Sequence, residues 1–156
     1  MTELVLRFQI DELSGNASQA LVRRHLEGMY ANSPACSVHA LGIEHLRQPS
    51  VTLWSGWIAD EVVVIGALKR LDAENGEIKS MRVEQAWLGK GIGWMMLNHI
   101  TQAAKRAGMK VLWLETGSAD AFLPALKLYA SAGFIQCGPF SDYTDDPFSV
   151  FMMKAL

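Results

Sequence analysis

Cysteine is nearly missing from this sequence: Cys36 and Cys137 are the two in 156 residues, and neither belongs to a CxxC pair. That excludes the disulfide framework of a small secreted domain and makes plain thiols and a cytoplasmic location the expectation. Metal-ligand clusters are missing too. His39 and His45 stand in CSVHALGIEH without an HExxH or a second cluster to complete a coordination shell, so no metal is expected. No apolar run approaches the roughly 18 residues needed to cross a bilayer. The opening MTELVLRFQIDELSG acquires acidic residues too early for an export signal, and no membrane partner is expected. Charge of one sign is scarce as well. A formal net charge of −2 argues against a nucleic-acid binder, which carries a basic excess. It leaves room for a small anionic ligand, because backbone N–H groups hold phosphate without net positive charge.

What is present is an ordinary globular balance, 50% hydrophobic and 19% charged, without repeats or low-complexity tracts. One domain over residues 1–156 with a substantial core is expected. LVLRFQI (4–10) reads as a strand. Residues 12–30 carry Val22, Leu26 and Met29 at helical spacing, and a weaker helix is predicted over 37–47. VTLWSGWI (51–58) and VVVIGALKRL (62–71) read as a hairpin, with a second turn at Asn75-Gly76 leading into a strand over 77–83. A helix follows with Ile92, Met96, Ile100, Ala103 and Ala107 on one face and Gly108 at its C′ position. Then come VLWLE (111–115), a helix over 121–132 with Pro124 in its first turn, and strands over 134–140 and 148–155. The order predicts an α/β chain, a mixed sheet with helices packed on it.

Between the strand ending at Val83 and the helix beginning at Ile92 lies LGKGIG, residues 88–93. A Walker A loop needs Ser or Thr after its lysine, and Lys90 is followed by Gly91. A dinucleotide fingerprint would need glycine where Trp94 or Met96 stands, and βαβ crossovers where this chain has hairpins. Two readings remain: a glycine-rich turn that only connects strand and helix, and a strand–turn–helix anion site. In the second, the helix's free first-turn N–H groups and its dipole face a phosphate, and the glycines allow close approach.

On these residues the chain resembles the GNAT (Gcn5-related N-acetyltransferase) superfamily over nearly its whole length. The likeness is sharpest in EIKSMRVEQAWLGKGIGWMMLNHITQAAKRAG and LETGSADAFLPALKLYASAGF, and Leu88 departs from the family's usual Gln or Arg. The C-terminal GPFSDYTDDPFSVFMMKAL resembles its small bacterial YsnE-like subgroup. The resemblance implies a GNAT-type fold, a central mostly antiparallel sheet in which two parallel strands splay. It implies acetyl-CoA as co-substrate and acetyl transfer to the amine of a small molecule or amino-acid derivative. The backbone of Met81, Arg82 and Val83 would line the pantetheine, opposite VLWLE. The amides of Leu88, Gly89, Lys90, Gly91, Ile92, Gly93 and Trp94 would hold the pyrophosphate, with Lys90 at the rim.

The same resemblance makes Tyr129 the general acid for the departing thiolate, and Glu77 or Glu115 the base that frees the amine. The acceptor cleft would be shaped by CSVHALGIEHLRQP, the Trp54/Trp57 strand and SDYTDDPF, where Asp142, Asp145 and Asp146 could draw a cationic amine. The alternative is a module that binds acyl-CoA without catalysis. The C-terminal strands offer a route to a homodimer.

Overall fold

The computed structural model describes residues 5–156, so Leu4 of the expected first strand lies outside the described residues. The elements are β1 (Leu6–Ile10), α1 (Asn16–Asn32), α2 (Ile43–Leu46), β2 (Val51–Ile58), β3 (Glu61–Arg70), β4 (Asn75–Val83), α3 (Ile92–Arg106), β5 (Val111–Gly117), α4 (Leu123–Ser131), β6 (Ile135–Cys137) and β7 (Ser149–Ala155). They build a seven-stranded sheet in the order β1-β2-β3-β4-β5-β7-β6. Every neighbouring pair is antiparallel except β4 with β5.

Two apolar clusters show why both faces are covered. One joins Val63, Leu68, Ile78, Leu112 and Leu114 of the sheet to Ile92, Met96 and Ile100 of α3 and Tyr129 of α4. The other joins Leu53, Ile65 and Ala67 to Leu21 and Val22 of α1 and Leu46 of α2. Residues alternating along the same strands feed opposite clusters, as the two-residue period of a strand requires.

Several elements differ from expectation for local reasons. The first helix begins at Asn16 and not near Glu12. Asp11 accepts hydrogen bonds from the Leu13 amide at 2.7 Å and the Ser18 hydroxyl at 2.6 Å, which holds Asp11–Gly15 as a loop. The weak helix shrinks to a 3₁₀ turn at Ala35–Ser37 and the short α2. Asn75-Gly76 lies inside β4. The turn falls earlier, where the Asp72 carboxylate accepts from the amides of Glu74 and Asn75 at 2.8 and 2.9 Å.

In α3 the buried residues are Ile92, Met96, Leu97, Ile100, Thr101 and Ala104. The row therefore continues in steps of four to Ala104, while Ala103 is half-buried and Ala107 is exposed. The strand expected over 134–140 pairs only through Ile135–Cys137. Pro124 sits in the first turn of α4, and Gly108 and Gly133 follow α3 and α4 with positive φ, as their positions predict.

Candidate functional site

The parallel pair β4–β5 is where the sheet opens. Its register runs Asn75↔Val111, Gly76↔Leu112, Glu77↔Trp113 and Ile78↔Leu114 and then stops, although β4 continues to Val83 and β5 to Gly117. Each strand leaves with its other neighbour. Beyond Leu114, β5 stays paired to β7 through Glu115↔Phe151 and Gly117↔Ser149. β4 stays with β3, but Ser80 and Met81 together oppose the single Gly66 between the pairs Ala67↔Lys79 and Ile65↔Arg82. This bulge, with Ser80 at φ 55°, bends β4 away from β5. The inner edges of Lys79–Val83 and Glu115–Gly117 thus face a gap with unused backbone groups. The Arg82 guanidinium turns to the α1 face and donates to the Arg24 carbonyl at 3.1 Å.

The glycine turn closes one end of this gap. Gly89 and Gly91 have φ of 75° and 79°, conformations that disfavour any side chain, and Gly91 is the N-cap of α3. A Cβ on either would meet nothing within 4 Å, so the space above the turn is open. Gly93 serves differently: a Cβ there would lie 3.3 Å from Leu128 and 3.4 Å from Val83, so its lack of a side chain seats α3 against β4 and α4. The Leu88 amide, expected to be free, donates to the Gln85 carbonyl at 3.3 Å. The first intrahelical bond is from Met95 to Gly91, at 3.1 Å. Between them, the amides of Gly89, Lys90, Gly91, Ile92, Gly93 and Trp94 donate to no group among the described residues. Consecutive free donors at a helix N-terminus form an anion cradle.

On the α1/α2 face, directly beside the gap, lies a polar cluster. Glu77 is 2% exposed, and its Oε2 accepts from the Tyr143 hydroxyl at 2.5 Å and from Lys79 Nζ at 3.0 Å. Lys79 also donates to the Tyr143 oxygen at 2.9 Å. Burial, then the charge and hydrogen bond of Glu77, push the Tyr143 phenol well above its ordinary value.

Glu115 lies within electrostatic range of this triad and of His39, with one hydrogen bond, from Ser149 Oγ at 2.7 Å. Burial raises its carboxyl above the usual range. The Ser149 bond and the charges of His39 and Lys79 oppose that rise, and Glu77 adds to it. His39 packs edge-on against the Tyr143 ring at 4.9 Å. Asp146 holds the loop from below: it accepts from Ser37 Oγ at 2.5 Å and the Phe148 amide at 2.9 Å, which keep its carboxyl below the usual range.

Tyr129 is 6% exposed in the α3/α4 cluster, and burial pushes its phenol up. Its ring packs edge-on to Phe134 at 5.8 Å. Among the described residues the enclosed polar atoms without a partner are His25 Nδ1 and Ser80 Oγ. The Tyr129 hydroxyl makes no hydrogen bond among the described residues. Trp54, expected at the acceptor cleft, is instead core, edge-on to His99 at 5.4 Å.

The structure brings Glu77 and Glu115 together at one side of the gap and places the glycine turn at its end. Sequence reading missed Lys79 and Ser149, and had Tyr143 only as part of the SDYTDDPF segment expected at the acceptor cleft. The signal for Lys79 was spacing: it sits two residues after Glu77 on the strand entering the glycine turn, and so shares its face.

Residues 18–134 match the Acetyltransferase (GNAT) family. The chain is 50% identical over 151 residues to the uncharacterised N-acetyltransferase YsnE of Bacillus subtilis (strain 168), covering 97% of this chain and 100% of that one. It is 44% identical over 146 residues to the uncharacterised N-acetyltransferase YedL of Escherichia coli (strain K12), covering 94% and 92%. Among solved structures, a Klebsiella pneumoniae protein provisionally assigned as an acyl-CoA N-acyltransferase superposes with a TM-score of 0.80 at 23% identity, covering 97% and 98% of the two chains. A GNAT acetyltransferase from Elizabethkingia anophelis with acetyl-CoA bound superposes with a TM-score of 0.70 at 18% identity, covering 97% and 98%. A split parallel pair, a glycine turn with free amides at its end, and a family match across three-quarters of the sequence agree: this chain is a member of the GNAT family of N-acetyltransferases.

Proposed function

We propose that the protein transfers the acetyl group of acetyl-CoA to a primary amine of a small molecule or amino-acid derivative. The observation that carries this reading is the run of undonated amides from Gly89 to Trp94 beside the β4–β5 gap. The space around that turn fits a diphosphate, since neither Gly89 nor Gly91 has an atom near its missing Cβ. The acetyl-CoA-bound relative from Elizabethkingia anophelis supports the same ligand.

In this reading the amides of Gly89–Trp94 hold the diphosphate with the N-terminus of α3 behind them, and Lys90 adds charge at the rim. The main chain of Met81, Arg82 and Val83 pairs with the pantetheine along one wall, and β5 forms the other. The main-chain amide near Met81 or Val83 polarises the acetyl carbonyl. Acetyl-CoA supplies an activated acyl thioester.

Glu115 is the base. It has one hydrogen bond, stands at the gap, and binds a proton more readily than an ordinary carboxylate. Glu77, bound to Lys79 and Tyr143, fixes the pocket wall. Tyr129 is the acid for the departing sulfur. Glu115 first takes one proton from the acceptor's ammonium, which frees the lone pair. As the C–N bond then forms and the C–S bond breaks, the Tyr129 phenol proton passes to sulfur. The second nitrogen proton is lost through solvent and restores the phenol, and Glu115 releases its proton to solvent. The products are an amide and the CoA thiol. The test is calorimetric titration with acetyl-CoA, followed by thiol release against a panel of amines. Saturable binding with amine-dependent release supports the reading, and binding without release to any amine overturns it in favour of a non-catalytic module.

A further inference from the structure

Lys79 and Glu115 hold equivalent places on the two separating strands. Each is the first residue past the last paired step, Ile78↔Leu114, and both point to the α1/α2 face. Both are largely buried, they carry opposite charges, and they are close enough to influence one another. Yet no ion pair joins them, since the Lys79 partner within 4.0 Å is Glu77. An ammonium has three N–H donors. Lys79 uses one on Glu77 and one on Tyr143, at 3.0 and 2.9 Å, which leaves one undonated among the described residues. The Tyr143 oxygen and Glu77 Oε2 fix the ammonium in place, so its free N–H is preorganised and not merely available. His39, against the Tyr143 ring and within range of Glu115, adds a second donor-bearing group to the same wall.

Resting on the transferase reading above, we infer that the acceptor is an α-amino acid or a close analogue, its carboxylate bound by Lys79 and its amine presented to Glu115. Donor count supports this choice. Glu77 and Lys79 already neutralise each other, and Glu115 matches the acceptor's ammonium, so the undonated N–H of Lys79 is the group left for an anionic end. The two ends of a zwitterion match the separated cation and carboxylate that the split strands leave apart. A phosphate monoester fits less well: it would carry two charges to a wall that also holds Glu77, Glu115 and Asp146.

The experiment compares matched acceptors with acetyl-CoA, detecting released thiol: free L-amino acids, their carboxamides, and the corresponding decarboxylated amines. The free acids are expected to have kcat/KM about 10- to 100-fold above both neutral-ended series, carried mainly by KM, as expected for loss of a charge-assisted hydrogen bond. Lys79→Met is expected to bring that ratio close to one by raising KM for the acids, and Lys79→Arg to restore part of it. The wild-type comparison needs no variant, so a misfolded Lys79→Met leaves the test intact. Carboxamides or amines used as well as the acids would overturn this inference and leave the transferase reading standing. Absence of thiol release from every series would overturn both.

Discussion

His25 offers a prediction whose size can be worked from the structure. It lies on the sheet-facing side of α1, 8% exposed, with Nδ1 enclosed and unpartnered. Burial first, and the Arg82 guanidinium second, lower its pKa from 6.5 to about 4. Between those values the unfolded chain binds a proton that the folded chain refuses. The stability from a neutral His25 is therefore complete above about pH 6.5 and is lost as pH falls toward 4. The shift amounts to about 3 kcal/mol in full and about 2 kcal/mol between pH 8 and pH 5. His25→Leu removes the titration and keeps an apolar side chain on α1. Urea unfolding of both proteins at pH 8 and pH 5 should show the wild type losing about 2 kcal/mol more than the variant. Equal losses would refute the claim that this imidazole is held neutral by burial.

Other outcomes follow from the same geometry. Gly91→Ala should cost about 1–2 kcal/mol of stability, because alanine is strained at a φ of 79°. The same change should weaken acetyl-CoA binding by about tenfold or more, read by calorimetry, because its methyl enters the space above the cradle. Tyr129→Phe should lower kcat about 100-fold or more while leaving acetyl-CoA affinity within about twofold. If turnover persists, Tyr129 is not the acid. The rising limb of the kcat/KM pH profile should follow Glu115, above the ordinary carboxylate range, and disappear in Glu115→Gln. Ser149→Ala should move that limb to higher pH, because the Ser149 hydroxyl stabilises the ionised form. A limb that survives Glu115→Gln but disappears in Glu77→Gln would reassign the base.

The fold was legible where local chemistry and tertiary structure agree. The apolar period of α3, the mostly apolar runs of β3 and β5, and the glycines after α3 and α4 all carried through. Legibility failed where a side chain overruled the local pattern. Asp72 formed the turn that Asn75-Gly76 suggested, and Asp11 delayed α1 by holding a loop around Leu13. The bulge at Ser80 left no trace, because a serine at φ 55° looks like any strand serine. The site was half readable. Its glycine turn is contiguous, so LGKGIG showed it. The polar cluster joins Ser37, Glu77, Lys79, Glu115, Tyr143 and Asp146 from four separate parts of the chain, and only the strand order brings them together.

Backbone amide NMR during titration with CoA tests the cradle at the head of α3 most directly. The amides of Gly89–Trp94 should shift strongly and gain protection from exchange, while that of Leu88, already bonded to Gln85, should change less. Unmoved amides across this turn, with CoA bound elsewhere or not at all, would contradict it.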